Sequence, residues 1–326
     1  MENFAVIDLG SNSARMTITQ IDDDGAYSTV KQMKEYVRLS ENMGDKKVLQ
    51  PDAIDRTMRA LKSFKDVYSN MSNLRLKAVA TAATRQASNQ KKFLKQVESQ
   101  LGIELEVLPG TMEAYYDYLG VRETLPTTNA VILDTGGASS EIVLVQNNTV
   151  SHLISIPLGS VNLTQGYLPT DPIPAADLFN AMTFVNDVYN DIWWLRNGLN
   201  LPVIGLGGSN RTMAKINRRS NNLLDFEDIH GYRLSRHSVD ETFSRIVGQD
   251  LEGRKAIPGL SKDRADIIVG GLVPLTLLMR YLDSDRITFS NSGLREGILF
   301  EHLREQRIQN VHEKSNISLK DFLTQE

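Results

Sequence analysis

Cysteine is absent from this chain of 326 residues, so it has no disulfide and no thiolate metal site, and a reducing compartment suits it. Long apolar runs are missing too. "IIVGGLVPLTLLM" (267–279), among the longest, is too short and too interrupted by Gly and Pro to cross a bilayer, so no membrane association is expected. The start, "MENFAVID", carries no basic region followed by an apolar one; a secretory signal is not expected, and a cytoplasmic location is. The five histidines show no metal-ligand spacing. There is no excess of positive charge: 36 basic against 40 acidic residues leave a net charge of −4, which argues against a general nucleic-acid binder. A local basic cleft for a polyanionic substrate remains open. Two common nucleotide signatures are also lacking, G-x-x-x-x-G-K-[ST] and a G-x-G-x-x-G opening a helix.

What is present is an ordinary globular composition, 41% hydrophobic and 23% charged, on a chain too long for one comfortable core. Two domains are expected. "FAVIDL" (4–9), "ARMTITQI" (14–21) and "YSTVKQMKEYV" (27–37) read as three successive strands, with "DDDG" as a hairpin turn. Apolar residues recur at helical spacing over 52–71, from Ile54 to Met71. A strand over 74–84 running into a small-residue turn, a helix over 89–101, the strand "ELEVL" (104–108) and a helix over about 111–123 complete a first round. A second round opens at "TNAVILDTGGASSEIVLVQNNTVSHLISIPLG" (128–159) with the same order of strand, Asp, Gly-rich turn and strand. Aligning "DLGSNS" (8–13) with "DTGGAS" (134–139) gives an internal repeat and a duplicated domain. Further helices are expected at 175–197, 239–249, 263–282 and 293–306, and strands at 202–208 and 285–293. Trp193, Trp194 and Leu195 read as a helix face packed into the second domain. Residues 307–326 read as a polar tail with a weak apolar cluster, Leu319, Phe322 and Leu323.

Three small-residue turns follow buried-looking strands: "DLGSNS" (8–13), "DTGGASSE" (134–141) and "GLGGSNR" (205–211). Glycine lets the backbone approach a ligand closely, so successive N–H groups can converge on phosphate oxygens, and nearby serines add hydroxyl donors. Two of the turns follow an acid. Asp8 and Asp134 together suit Mg²⁺, a hard ion that prefers oxygen ligands, although each alone reads equally as a turn-capping residue.

These motifs resemble the actin-like ATPase superfamily and, more narrowly, the exopolyphosphatase/guanosine pentaphosphate phosphatase family. The narrowing rests on "KAVATAATRQASN" (77–89), "EAYYDYLGV" (113–121), "IPLGSVNLTQGY" (156–167), "DRADIIVGGL" (263–272) and "SNSGLREGIL" (290–299), in the family's order over residues 4 to about 303. The resemblance implies an α/β fold of two related actin-like, ribonuclease H-like domains, each a mixed β-sheet flanked by helices, with a cleft between them. The expected bounds are 1–125 and 126–306, with the helix at 293–306 packing back on the first domain. Longer members carry additional C-terminal helical domains; a two-domain form is expected here. Two departures bear on fine specificity. Ala138 stands where the family usually has glycine, and "VRLSEN" (37–42) replaces its usual Arg-Leu-Gly-Glu.

The resemblance also assigns roles. Glu113, which alone reads as an ordinary first-turn acid, becomes the glutamate that aligns the attacking water, and Glu141 supports the metal or that water. Arg85 stabilises charge in the transition state, while Arg15 and Arg264 hold more distant phosphates. Gly10, Ser11, Asn12, Ser13, Gly136, Gly137, Ala138, Ser139, Gly207, Gly208 and Ser209 form the phosphate cradle, and Asp8, Asp134 and Glu141 the metal set. Lys215, Arg218 and Arg219 read as a solvated face unless they extend a basic track. Mg²⁺ or Mn²⁺ is the expected cofactor, with a monovalent cation such as K⁺ as an addition. The activity expected is processive release of terminal phosphate from inorganic polyphosphate, with domain closure excluding stray water and bringing Glu113 into register. The alternative is γ-phosphate removal from guanosine pentaphosphate, in the stringent response. A nucleotide-binding kinase or assembly protein leaves "EAYYDYLGV" unexplained, and a silent phosphate sensor leaves Glu113 and Glu141 unexplained. A homodimer is the protein partnership considered.

Overall fold

A computed structural model describes the backbone of residues 1–323 and the side chains of residues 1–308. "FAVIDL" does not alternate between apolar and polar, and its strand is accordingly covered on both faces. This β1 (Glu2–Leu9) is the middle strand of a five-stranded sheet. β2 (Ser13–Ile21) and the edge strand β3 (Tyr27–Tyr36) pair antiparallel beside it. Helix α1 (Pro51–Tyr68) then crosses to β4 (Leu74–Ala80), which runs parallel to β1. Next come α2 (Ala82–Gln86), α3 (Gln90–Leu101), the two-residue β5 (Glu106–Val107) and α4 (Gly110–Arg122).

The second half repeats the plan. β6 (Ala130–Thr135), β7 (Ser140–Gln146) and β8 (Thr149–Ile156) form the antiparallel ribbon. Helices α5 (Ser160–Tyr167) and α6 (Ala175–Asn190) lead to β9 (Val203–Leu206), parallel to β6. Helix α7 (Gly207–Ser220), β10 (Arg233–Ser235), α8 (Arg236–Val247), α9 (Leu251–Lys255), α10 (Ile268–Tyr281), β11 (Arg286–Phe289) and α11 (Leu294–Leu323) follow. The sheet orders are β3-β2-β1-β4-β5 and β8-β7-β6-β9-β11-β10, so ribbon, central strand and parallel neighbour match between the halves.

Three apolar clusters divide the interior. One lies between the first sheet and α1 and α3. A second fills the outer face of the second sheet beneath α5, α6, α7, α8 and α10. The third takes Phe4, Val6 and Val79 from the first sheet, Ile132, Val143 and Ile204 from the second, and the facing sides of α4 and α11. Helix α4 therefore sits between the sheets, packed on β7, β8 and α11, while α11 also packs on β1.

Several expectations need correcting. β5 is shorter than 104–108 because Leu105 and Leu108 turn into the core beside a strand pairing of only two residues. The helix expected over 175–197 ends at Asn190. Trp193 then lies exposed (79%) while Trp194 is buried, with His152 stacked on Trp194 at 5.2 Å. The helix expected to stop at 306 keeps a helical backbone to Leu323; the side chains of Leu319, Phe322 and Leu323 fall outside the described residues.

Candidate active site

Period-two alternation aims both strand-ending acids into the gap between the sheets. Ala5, Ile7 and Leu9 join the core against α1 and α3, whereas Phe4 and Val6 face the inter-sheet cluster, and Asp8 continues the second set. In β6, Val131 and Leu133 face outward to their helices, Ala130 and Ile132 face inward, and Asp134 follows them. The turns beyond are built alike. Gly10 N–H donates to Ser13 O at 3.1 Å, and Gly136 N–H donates to Ser139 O at 3.0 Å. Asp8 pairs across its ribbon with Arg15, and Asp134 across its own with Glu141.

The two turns touch at Gly137, where a Cβ would lie 2.9 Å from Ser11 Cβ and 3.2 Å from Asn12 N. Any side chain there would push the halves apart. The third turn is the start of a helix rather than a loop: Gly207, at φ +85°, opens α7 where the parallel strand β9 ends. A side chain at Gly207 would collide with Asp134 Oδ1 and Thr135 O. Helix starts leave N–H groups unpaired, so this segment offers donors as the other two do.

Together the segments enclose a cavity of about 90 Å³. Its walls include Asp8, Gly10, Ser11, Asn12, Ser13 and Arg15 from the first half and Asp134, Gly136, Gly137, Ser139, Gly207, Gly208 and Arg264 from the second. Glu113 reaches it from α4, beside Thr81 and Ser160. Asn12 Nδ2 is buried in this turn with no hydrogen-bond partner in the protein.

Four of the residues singled out from the sequence are not in this wall. Ala138 is buried, and its carbonyl accepts from Asn162 Nδ2 at 3.1 Å. Ser209 is fully buried against Gly271. Glu141 Oε1 accepts from Ser139 Oγ at 2.8 Å and from Ser155 Oγ at 2.7 Å, which ties the second turn to β8. Arg85 stands behind Glu113, donating from Nη1 to Glu113 Oε2 at 3.1 Å and to Leu108 O at 2.9 Å.

Charge is segregated across the gap. Burial pushes the Glu113 carboxyl up to about 7, against the pull of Arg85. Burial also raises Asp134, whose neighbours Arg211 and Arg15 oppose the shift. Glu141 and Asp117 are held well above the usual carboxylate range by burial and by the surrounding acids. On the other side a cavity of about 870 Å³ adjoins the small one and shares Arg15, Gly208 and Arg264 with it. Arg15, Lys34, Arg211, Lys215, Arg264 and Arg295 line it against only Glu227 and Glu296. Burial, then repulsion from Arg211 and Arg295, lowers Arg15 to about 10. Burial lowers Lys34, Arg211 and Arg264 as well. Such crowding of cations is relieved by a bound polyanion.

Lys215 thus belongs to the cavity and not to a solvated face, whereas Arg218 and Arg219 stack on Tyr232 and Phe226. Lys34, Arg211 and Arg295 were not singled out from the sequence. Arg211 and Arg295 stand inside motifs quoted for other residues. Strand register brings Lys34 to the cavity, since Asp8, Arg15 and Lys34 follow one another across β1, β2 and β3. The segment 37–42, where "VRLSEN" departs from the family pattern, forms a strap at the mouth. Arg38 N–H donates to Asn12 O and Ser40 N–H to Ser11 O, each at 2.9 Å. The Arg38 side chain crosses the cleft, donating to Asp266 Oδ2 at 2.9 Å and to Asp263 O at 3.2 Å.

A model of the Ppx/GppA phosphatase family matches residues 17–306. The chain belongs to this family. The matched span starts just after the first turn and covers the other two. Among solved structures similar to the chain, the Cytophaga hutchinsonii exopolyphosphatase is 25% identical with a TM-score of 0.87, covering 93% of this chain and 98% of its own. The Aquifex aeolicus Ppx/GppA family member is 29% identical with a TM-score of 0.77, covering 94% and 98%. A guanosine-5'-triphosphate,3'-diphosphate pyrophosphatase of Pseudoalteromonas translucida is 28% identical over 321 residues, 96% of this chain and 61% of that protein. A bifunctional 3-dehydroquinate synthase/phosphatase of Fusobacterium nucleatum is 27% identical over 309 residues, 91% of this chain and 46% of that protein. The chain therefore spans about half to three-fifths of the length of these two relatives. The actin-like Ppx/GppA fold expected from the motifs is the fold found, with two mixed sheets, flanking helices and a cleft. No helix among the described residues is long and apolar enough to cross a membrane.

Proposed function

We propose that this Ppx/GppA phosphatase is an exopolyphosphatase that removes the terminal phosphoryl group of inorganic polyphosphate. One observation carries the reading: a small cavity ringed by backbone donors, with the unpartnered Asn12 Nδ2 in its wall, opens onto a large cavity lined by six cations. The small cavity suits one phosphoryl group and the large one a chain of them. In the reaction a water oxygen bonds to the terminal phosphorus while the P–O bond to the bridging oxygen breaks. The bridging oxygen leaves with the electron pair on the shortened chain, and the water's proton passes to Glu113, whose raised carboxyl suits that transfer near neutral pH. Arg85 holds Glu113 in place, and Arg15 and Arg264 draw charge from the phosphate oxygens.

The oxygen donors of the small cavity fit a magnesium or manganese ion held by Asp8 and Asp134. Among the described residues no three acidic or histidine side chains gather as a ligand cluster, so phosphate and water oxygens would complete the shell, as Mg²⁺ commonly requires. Bound there, the ion would polarise the phosphoryl oxygens. Glu141 holds the second turn through Oε1, which accepts from two serines, and its Oε2 would support the ion or the attacking water from there.

A second reading, γ-phosphate removal from guanosine pentaphosphate, is favoured by Tyr36 and Phe226 in the large cavity wall, rings of the kind a base stacks on, with Lys34 and Arg219 each already over one of them. The test offers long-chain polyphosphate, tripolyphosphate, guanosine pentaphosphate and ATP, each with Mg²⁺, and follows phosphate release. Highest kcat/KM on polyphosphate, falling steeply with salt, supports the first reading; preference for the nucleotide supports the second. Hydrolysis of none overturns both.

A further inference from the structure

Behind Glu113, on the side away from the basic cavity, lies a cavity of about 290 Å³ that the reaction just described does not use. Arg85, Gln86, Thr111, Ser139, Ile154 and Ser155 line it, and no acidic side chain does. Ser139 borders both this cavity and the 90 Å³ one. Side chains cross the partition between them, beside the backbone of Gly110. Arg85 spans it, with Nη1 on Glu113 Oε2 at 3.1 Å and Nη2 on Ser155 Oγ at 3.5 Å. Its contact with Ser155 is long, whereas Nη1 is fixed by Leu108 O at 2.9 Å and by Glu113, so the guanidinium can open the Ser155 side by pivoting about Nη1.

We propose that this rear cavity is the exit for orthophosphate, with Arg85 as the guanidinium that hands the anion across. The proposal rests on the hydrolase reading and adds a direction to it. The front of the site is filled by the remaining phosphates of the substrate, held by cations such as Arg15, Arg211 and Arg264. Orthophosphate released on that side would have to pass the held chain, or wait for it to leave. The rear lining carries one cation and no acid. The two carboxyls at its inner end, Glu113 on Arg85 and Glu141 on Ser139 and Ser155, are both raised by burial toward the neutral form, so a small anion can depart there while the chain stays. Such a separation of routes would serve repeated cleavage of one polymer without dissociation.

Thr111 is exposed and Gln86 half-buried, and neither lines the 90 Å³ cavity, so Thr111→Trp and Gln86→Trp narrow the rear cavity from two different helices. Rapid mixing with tripolyphosphate or guanosine pentaphosphate would compare bond cleavage, by acid quench, with free phosphate, by a fluorescent phosphate sensor. In the unmodified protein cleavage and release keep step. In both variants about one equivalent per site should be cleaved at the original rate, followed by release at least tenfold slower, with substrate affinity unchanged. Release as fast as in the unmodified protein from both variants overturns the proposal. A binding measurement needs no turnover: without divalent metal, inorganic phosphate should bind protein already saturated with tripolyphosphate, and Thr111→Trp should abolish that second binding. Strict competition between the two anions overturns the exit. Failure to hydrolyse any substrate would overturn the hydrolase reading and leave this binding result to decide the cavity's role.

Discussion

Glu113 combines a position in the cavity wall with a carboxyl that burial has raised to about 7. Two expectations follow. The rate should climb with pH through about 7 as the carboxylate becomes able to accept the water's proton, and Glu113→Gln should lose about 10²–10⁴ in kcat with substrate affinity nearly kept, measured as a pH–rate profile and a direct titration. Stability should move the other way. A raised carboxyl favours the protonated folded state, so its benefit is complete below the unfolded value of 4.5 and is lost as pH rises through about 7. Glu113→Gln should therefore be more stable than the parent above pH 7, by on the order of 1 kcal/mol, and lose that advantage near pH 4 in thermal melts. Arg85→Ala removes the partner that holds Glu113, and should lower kcat about 10²-fold while leaving KM close to the parent value.

At the scale of elements, the catalytic geometry depends on how strands end and how α4 is held. Gly207→Ala asks an L-residue to adopt φ +85° and sets a methyl against Asp134 and Thr135. The backbone alone should cost about 1–3 kcal/mol, with a rise in KM, measured by denaturant unfolding and steady-state kinetics. Ile298 on α11 is buried in the cluster that carries α4, so Ile298→Ala should cost about 2–5 kcal/mol and lower kcat through a looser Glu113. Much of this scale was legible in the sequence. The matched spacing of Asp8 and Asp134 before their glycines disclosed the duplication, because the same turn recurs on the same strand position. The helix that begins in the third turn is not legible in the sequence, because starting at Gly207 it has no polar cap residue to announce it. Lys34 escaped because its partner in the cavity is set by pairing between strands and not by local spacing. The place of Arg85, behind Glu113 and not in the pocket wall, depends on α2 and α4 meeting in space, which no stretch of chain records.

For the whole molecule, the decisive arrangement is two sheets facing each other with like turns in contact at Gly137 and Ser11. The visible ion pair across the mouth, Arg38 with Asp266, has side chains about one-third exposed, so it contributes under about 1 kcal/mol and is screened by salt. Asp266→Ala should leave the melting temperature nearly unchanged. It should quicken substrate binding and shorten residence in stopped-flow measurements, an effect that added salt reproduces in the parent. The strap that carries Arg38 hangs from the carbonyls of Ser11 and Asn12 and grips the segment bearing Arg264. Lip and floor are thus one mechanical piece: a tug at the entrance is felt where the last phosphate would rest. Loading and grip cannot be adjusted independently, and a change that eases the first will loosen the second.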